Sequence, residues 1–299
     1  MLFKAVRLAS VALMLAVMLS GSHGYAQGDP NAAKESFNEG VKMMQNGDVD
    51  GALLMFQTAL NKDPEYVDAY LNYGVALYRL KQYDKALEQF RKVVEKSPDN
   101  VDGYANLGRV QNKLKRPAEA EEAFRAALAI TPDNAEVLAD LGKVQYARNA
   151  FDGVVETLEK CHSAGGGDEI TYYYLGKAYQ KQNKSAQAIT ALEKSLSLDA
   201  KNYNANFALG QIYHGQEKYS KAAASFKAAM SAEPSKYQAS QNYAVAMESA
   251  DPDAIDANIA NWNAFIKLAR NNPKAKDQVA EAEQHIKDLQ ARKEALKNQ

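Results

Sequence analysis

The chain has 299 residues, 46% hydrophobic and 24% charged, a balance that excludes a disordered chain and is ordinary for a folded one. Its 36 Lys and Arg against 37 Asp and Glu leave a net charge of -1, without the basic excess that nucleic-acid binding calls for. A single cysteine, Cys161, excludes an internal disulfide, so stability has to come from packing.

The chain opens with Lys4 and Arg7, then an apolar run from Leu8 to Leu19 broken only by Ser10. A helix of that length rises about 18 Å, well short of a hydrocarbon core about 30 Å thick. Gly24-Tyr25-Ala26 supplies small residues three and one before a cut at Gln27, so residues 1–26 are predicted to be a secretory signal. The competing reading, an uncleaved anchor, needs a longer run. Cleavage leaves 34 basic and 37 acidic residues, a net charge of -3, and no membrane span in the mature chain. The signal points to a bacterial envelope, with the periplasm as the destination.

Beyond the signal the chain is periodic. Gly40, Gly74, Gly108, Gly142, Gly176 and Gly210 recur in steps of 34, and Ala244 continues the series. Twelve residues after each glycine stands a small apolar residue: Ala52, Ala86, Ala120, Val154, Ala188, Ala222. Four further on comes a large one: Phe56, Phe90, Phe124, Leu158, Leu192, Phe226. Pro30, Pro64, Pro98, Pro132 and Pro234 close units, with Gly166 and Ala200 at the remaining two places. Each unit reads as two helices. A glycine in the first admits a close neighbour, the small residue marks the crossing, the large one fills the gap, and proline turns the chain.

These columns resemble the tetratricopeptide repeat family, whose large-Leu-Gly-Tyr, Ala, Phe, Ala, Pro signature they match at family spacing. The resemblance covers 31–272, in units 31–66, 67–100, 101–134, 135–168, 169–202, 203–236 and 237–272. It implies an all-α superhelical solenoid of antiparallel helix hairpins whose first helices line an inner groove, and it implies no chemistry. The fourth unit departs from the pattern with Val154, Cys161 and Gly165-Gly166-Gly167, either a surface turn or a hinge. In the seventh, the second helix, with Ile259, Trp262, Phe265 and Ile266, runs about two residues late after Asp251-Pro252-Asp253. Residues 273–299 form a last helix with the apolar stripe Val279, Ala282, Ile286, Leu289 and Leu296. It reads as a cap with a polar outer side; the stripe also fits a heptad, which leaves homo-oligomerisation through this helix open.

Helical geometry places the second, fifth, ninth and twelfth positions of each first helix on the groove side. The ninth position carries Arg109, Lys143 and Lys177 in three consecutive units, a basic ladder. The sixth carries Asn72 and Asn106, and other groove positions carry Tyr78, Tyr146, Tyr173 and Phe207. The expectation is an extended peptide held by the asparagines, the ladder and the rings. The chaperone-tail clamp known in some family members needs a lysine where Phe37 stands, so that function is not carried over.

No phosphate loop and no His-Glu-x-x-His motif occurs. His162, His214 and His285 fall far apart in register, and Cys161 shares a small core column with Ala59 and Ala127. Hence no catalytic residue, metal or cofactor is expected. The predicted role is a non-enzymatic scaffold of the cell envelope with a protein or peptide partner. The alternative is a periplasmic holdase, a chaperone accessory that binds unfolded clients through its tyrosines. A grafted enzymatic or glycan-binding site is the third reading.

Overall fold

A computed structural model of the chain describes residues 29–298. The predicted signal at 1–26 lies outside the described residues. Those residues form fifteen α-helices and one 3-10 turn, which bears out the all-α expectation. In chain order the helices are α1 (Pro30–Gln45), α2 (Val49–Lys62), α3 (Val67–Arg79), α4 (Tyr83–Lys96) and α5 (Val101–Lys113). There follow α6 (Pro117–Ile130), α7 (Ala135–Ala147), α8 (Phe151–Ser163), α9 (Glu169–Lys181) and α10 (Ser185–Leu198). The last five are α11 (Tyr203–Gly215), α12 (Tyr219–Ala232), α13 (Tyr237–Ala250), α14 (Ile255–Ala269) and α15 (Lys276–Lys297).

The chain divides into two compact units between Leu114 and Lys115, inside the third predicted repeat. In the first unit each helix packs on the next from α1 to α5, and α1, α3 and α5 also touch in succession. The second unit repeats this from α6 to α15, with α7 touching α9 and α9 touching α11.

Two of the periodic columns turn out to be one contact. A Cβ added at Gly74 would lie 2.6 Å from the Phe90 ring, and one at Gly210 would lie 2.6 Å from Phe226. The same crossing brings Gly40 onto Phe56, Gly142 onto Leu158 and Gly176 onto Leu192. The glycine therefore sits where the second helix drives its largest side chain against the first. That contact outweighs the roughly 1 kcal/mol of helix propensity lost at glycine. Phe56, Phe90, Leu158 and Leu192 are 0% exposed, and the small residues Ala52, Ala86, Val154 and Ala188 beside them are too. Burying one such large side chain stabilises by about 1.5–3 kcal/mol.

The turns share the period. Gly47, Lys81, Lys115, Asn149, Asn183 and Glu217 all have positive φ, between 59° and 83°. Glycine reaches that region freely and asparagine more easily than most, whereas Lys81 and Glu217 adopt it against preference because the hairpin demands it. The side chains of Asn100, Asn134 and Asn202 accept from the backbone N–H groups of Gly103, Val137 and Ala205, which caps α5, α7 and α11. Pro30 differs from expectation: it occupies the first turn of α1, where its missing N–H costs nothing, and closes no described helix.

At the C-terminal end, α14 begins at Ile255, two residues beyond strict period. Val279, Ala282, Ile286 and Leu289 of α15 are buried in a cluster with Trp262, Phe265 and Ile266 of α14. Arg292 donates to the Pro252 carbonyl at 3.0 Å and to Asp253 at 2.7 Å, and Lys293 pairs with Asp256. Leu296 departs from the predicted stripe. It is 52% exposed, because the neighbours that cover the rest of α15 end before its last turn.

Candidate partner-binding faces

In the first unit, α3 presents Asn72 and Tyr78, and α5 presents Asn106 and Arg109; all four are half-buried. The asparagines are partly committed. Asn72 Nδ2 donates to the Asp68 carbonyl at 2.9 Å, and Asn106 Nδ2 donates to the Asp102 carbonyl at 2.8 Å. One donor of each is thereby spent within its own helix, leaving the second donor and the oxygen. Tyr78 meets Tyr83 edge-on at 5.3 Å, which fixes its ring.

In the second unit the predicted residues fall into a basic and aromatic cluster on α7 and α9. Tyr146 packs against Tyr174 at 4.9 Å and Phe151 at 5.7 Å, and Tyr174 meets Tyr173 at 5.4 Å. Burial pushes the Tyr173 hydroxyl up to about 12, with smaller contributions from Tyr146 and Tyr174. Lys177 donates to Gln180 at 2.6 Å. Burial, then the like charge of Lys181, holds its ammonium below the ordinary lysine range. Lys143 lies 3.8 Å from Asp140. At Asp168, the α9 cap, burial raises the carboxyl, but the Thr171 hydrogen bonds and the nearby Lys143 charge outweigh it and hold it low. Phe207 of α11 is less available: it stacks on Tyr203 at 5.6 Å and meets Phe226 at 5.5 Å, half inside the core.

Tyr174 belongs to this cluster and was not picked from the sequence. Its signal was visible, a tyrosine at the sixth position where Asn72 and Asn106 stand in other repeats. Glu121 also escaped notice. It is 3% exposed, forms an ion pair with Arg125 at 2.5 Å and accepts a hydrogen bond from Arg148, so a buried charge is compensated twice. Cys161 is 0% exposed, its thiol donates to the Ala135 carbonyl at 3.2 Å, and burial pushes its pKa up, so it is an inert core residue. Among the described residues no group of three His, Cys, Asp or Glu converges on a metal-sized site, and no helix is long and apolar enough to cross a membrane.

A different stripe of the first helices floors two clefts that occupy the same register, one in each unit. In repeat two a cleft of about 550 Å³ opens between α2 and α4 over Tyr70, Tyr73 and Leu77 of α3. In repeat five a cleft of about 500 Å³ lies against α10, over Tyr172, Leu175 and Tyr179 of α9. Position by position, Lys85, Glu88, Gln89 and Lys92 of the first become Gln187, Thr190, Ala191 and Lys194 in the second.

Family models described as tetratricopeptide repeat match residues 43–109, 80–124, 112–175 and 173–250, together more than half of the chain. No curated protein matches the chain in sequence. Among solved structures, it is similar to the C-terminal part of a TPR repeat-containing protein from Cytophaga hutchinsonii. That match has 18% identity and a TM-score of 0.64, over 81% of this chain and 98% of the other. The chain is also similar to pilF of Pseudomonas aeruginosa (20% identity, TM-score 0.58), over 72% of this chain and 97% of that one. A third similar structure is YrrB, described as a TPR protein with an unusual peptide-binding site (18% identity, TM-score 0.55, over 61% and 93%). At such identities the likeness is one of fold. Repeats of this type are in general non-catalytic and indicate a protein–protein interaction scaffold, and this chain belongs to the tetratricopeptide repeat family.

Proposed function

We propose that the protein is a non-enzymatic scaffold of the bacterial cell envelope that holds a peptide or protein segment against its first helices. The observation that carries this reading is the cluster on α7 and α9. There Lys143 and Lys177 share α7 and α9 with the packed rings of Tyr146, Tyr173 and Tyr174, and the Lys177 ammonium is held low by burial and by Lys181. A partner carboxylate would relieve that cation, and the rings offer rigid apolar area at low entropic cost. In the first unit the ninth position is likewise basic, at Arg109. An extended acidic segment of a partner protein is therefore the ligand that the face fits. The peptide-binding description of YrrB, a protein of similar fold, points the same way. The envelope assignment rests on the Lys4-to-Ala26 signal pattern.

The test is crosslinking capture from intact cells with the parent protein and with Arg109, Lys143 and Lys177 all changed to Glu. A defined partner should be captured by the first and lost by the second, while thermal unfolding stays the same. Unchanged capture by the triple variant would sink the reading, and fractionation of the parent away from the envelope would sink the localisation.

A further inference from the structure

The repeat-two cleft contains a residue that the repeat architecture does not require. The seventh position of the second helices runs Met55, Gln89, Ala123, Thr157, Ala191, Ser225. Gln89 is the one long amide in that column. It is 8% exposed, lines the cleft, and its side chain has no hydrogen-bond partner among the described residues. Its amide nitrogen and oxygen keep contact with solvent, whereas alanine at the same place in repeat five offers neither donor nor acceptor.

The surrounding groups match one kind of ligand. On the opposite wall Gln57 Nε2 donates to Asn61 Oδ1 at 3.3 Å, which leaves the Gln57 oxygen as an acceptor and the Asn61 nitrogen as a donor. Gln89 again offers one acceptor and one NH2. A carboxamide on each side, with donor and acceptor side by side, complements neighbouring hydroxyls, since a hydroxyl both gives and accepts a hydrogen bond from one atom. Tyr70 and Tyr73 supply a flat floor. The α4 rim bears Lys85, Glu88 and Lys92, a net charge of +1. Lys92 is held at the cleft with its ammonium 5.2 Å from the Tyr70 ring centre. Lys96, at 5.8 Å from the same ring, is already neutralised by Glu65 at 2.7 Å. The cleft therefore combines hydroxyl-reading amides with uncompensated positive charge, and its about 550 Å³ has the size of a small-molecule site.

We propose that this cleft binds a sugar acid: a one- or two-ring saccharide whose hydroxyls bond Gln89, Gln57 and Asn61 and whose carboxylate meets Lys85 and Lys92. This site uses a different stripe of α3 from Tyr78 and none of the residues of the partner-binding face. The two proposals therefore stand or fall separately.

The test is a titration of the 15N-labelled protein with D-glucuronate, D-glucose and glutarate, read at the side-chain amide of Gln89 and the backbone of 57–61, 70–77 and 85–92. Glucuronate should shift these signals saturably. Glucose (hydroxyls without charge) and glutarate (charge without hydroxyls) should each bind at least about tenfold more weakly, near 1.4 kcal/mol. Gln89→Ala should weaken glucuronate about tenfold with the rest of the spectrum unchanged, because alanine already fills this column in repeats three and five. The proposal is overturned if no sugar acid shifts these signals, if glutarate binds as well as glucuronate, or if Gln89→Ala leaves the titration unaltered.

Discussion

The clefts of repeats two and five are built on one plan and lined with opposite chemistry. Repeat two places Gln89 where repeat five places Ala191, Lys85 where it places Gln187, and Glu88 where it places Thr190. The backbone, the register and even the volumes are nearly the same. What differs is whether the walls can hydrogen-bond. A repeat protein thus has a scaffold that periodicity determines and a set of clefts that single substitutions specialise. The residues to read for function are those that break a column without being needed to fill it.

Three sets of measurements would break or sharpen this contrast. The largest effect belongs to the shared scaffold behind each cleft. Phe90→Ala should cost about 3–5 kcal/mol and Leu192→Ala about 2–5 kcal/mol, since both side chains are wholly buried against a glycine. Chemical denaturation measures both, and a loss below about 1 kcal/mol in either would deny that the two crossings are equivalent. Next in size is the exchange of the distinguishing residue. Gln89→Ala should leave stability unchanged or raise it slightly, whereas Ala191→Gln should cost about 1–3 kcal/mol by burying an amide in an apolar cleft. If Gln89→Ala is instead strongly destabilising, the glutamine serves the fold and not a ligand.

The smallest effect concerns pH. His162 stacks on Tyr172, a floor residue of the repeat-five cleft, with ring centres 3.8 Å apart, and burial holds its pKa below the ordinary 6.5. A histidine with a lowered folded pKa takes up its proton more readily when unfolded. Its contribution is therefore complete above about 6.5 and is lost as the pH falls from there through the folded value. Stability of the wild type should drop modestly between pH 7 and pH 5, and His162→Phe should flatten that component. A slope of the opposite sign would mean that His162 is charged in the folded protein.

Much of this could be read before any coordinates. The 34-residue step, the glycine column and the large residue sixteen places later sufficed for an all-α repeat fold and for the family, because helix packing repeats only if the same contact recurs at the same phase. The aromatic cluster on α7 and α9 was partly legible: 3.6-residue geometry sets Tyr146 and Tyr173 on one stripe of the first helices, and Tyr174 joins them only through its packing on both rings. Phe207 shows the limit. Its position marks a groove face, yet a ring that large is drawn half into the core by Tyr203 and Phe226. Leu296 shows it again, since an apolar stripe says nothing of where the covering helix stops.

The sequence by itself thus determined which helices form and where they turn, because each of these is local or periodic; that the large residue drives into the glycine emerged from the packing. Only the tertiary structure decided which side chains line the clefts and which are paired. Whether Gln89 finds a partner, how deeply Lys177 is buried, and whether Glu121 gains Arg148 beside Arg125 depend on neighbours from other helices. Burial and pairing are set by side chains far apart in the sequence, so both are properties of the packed helices together.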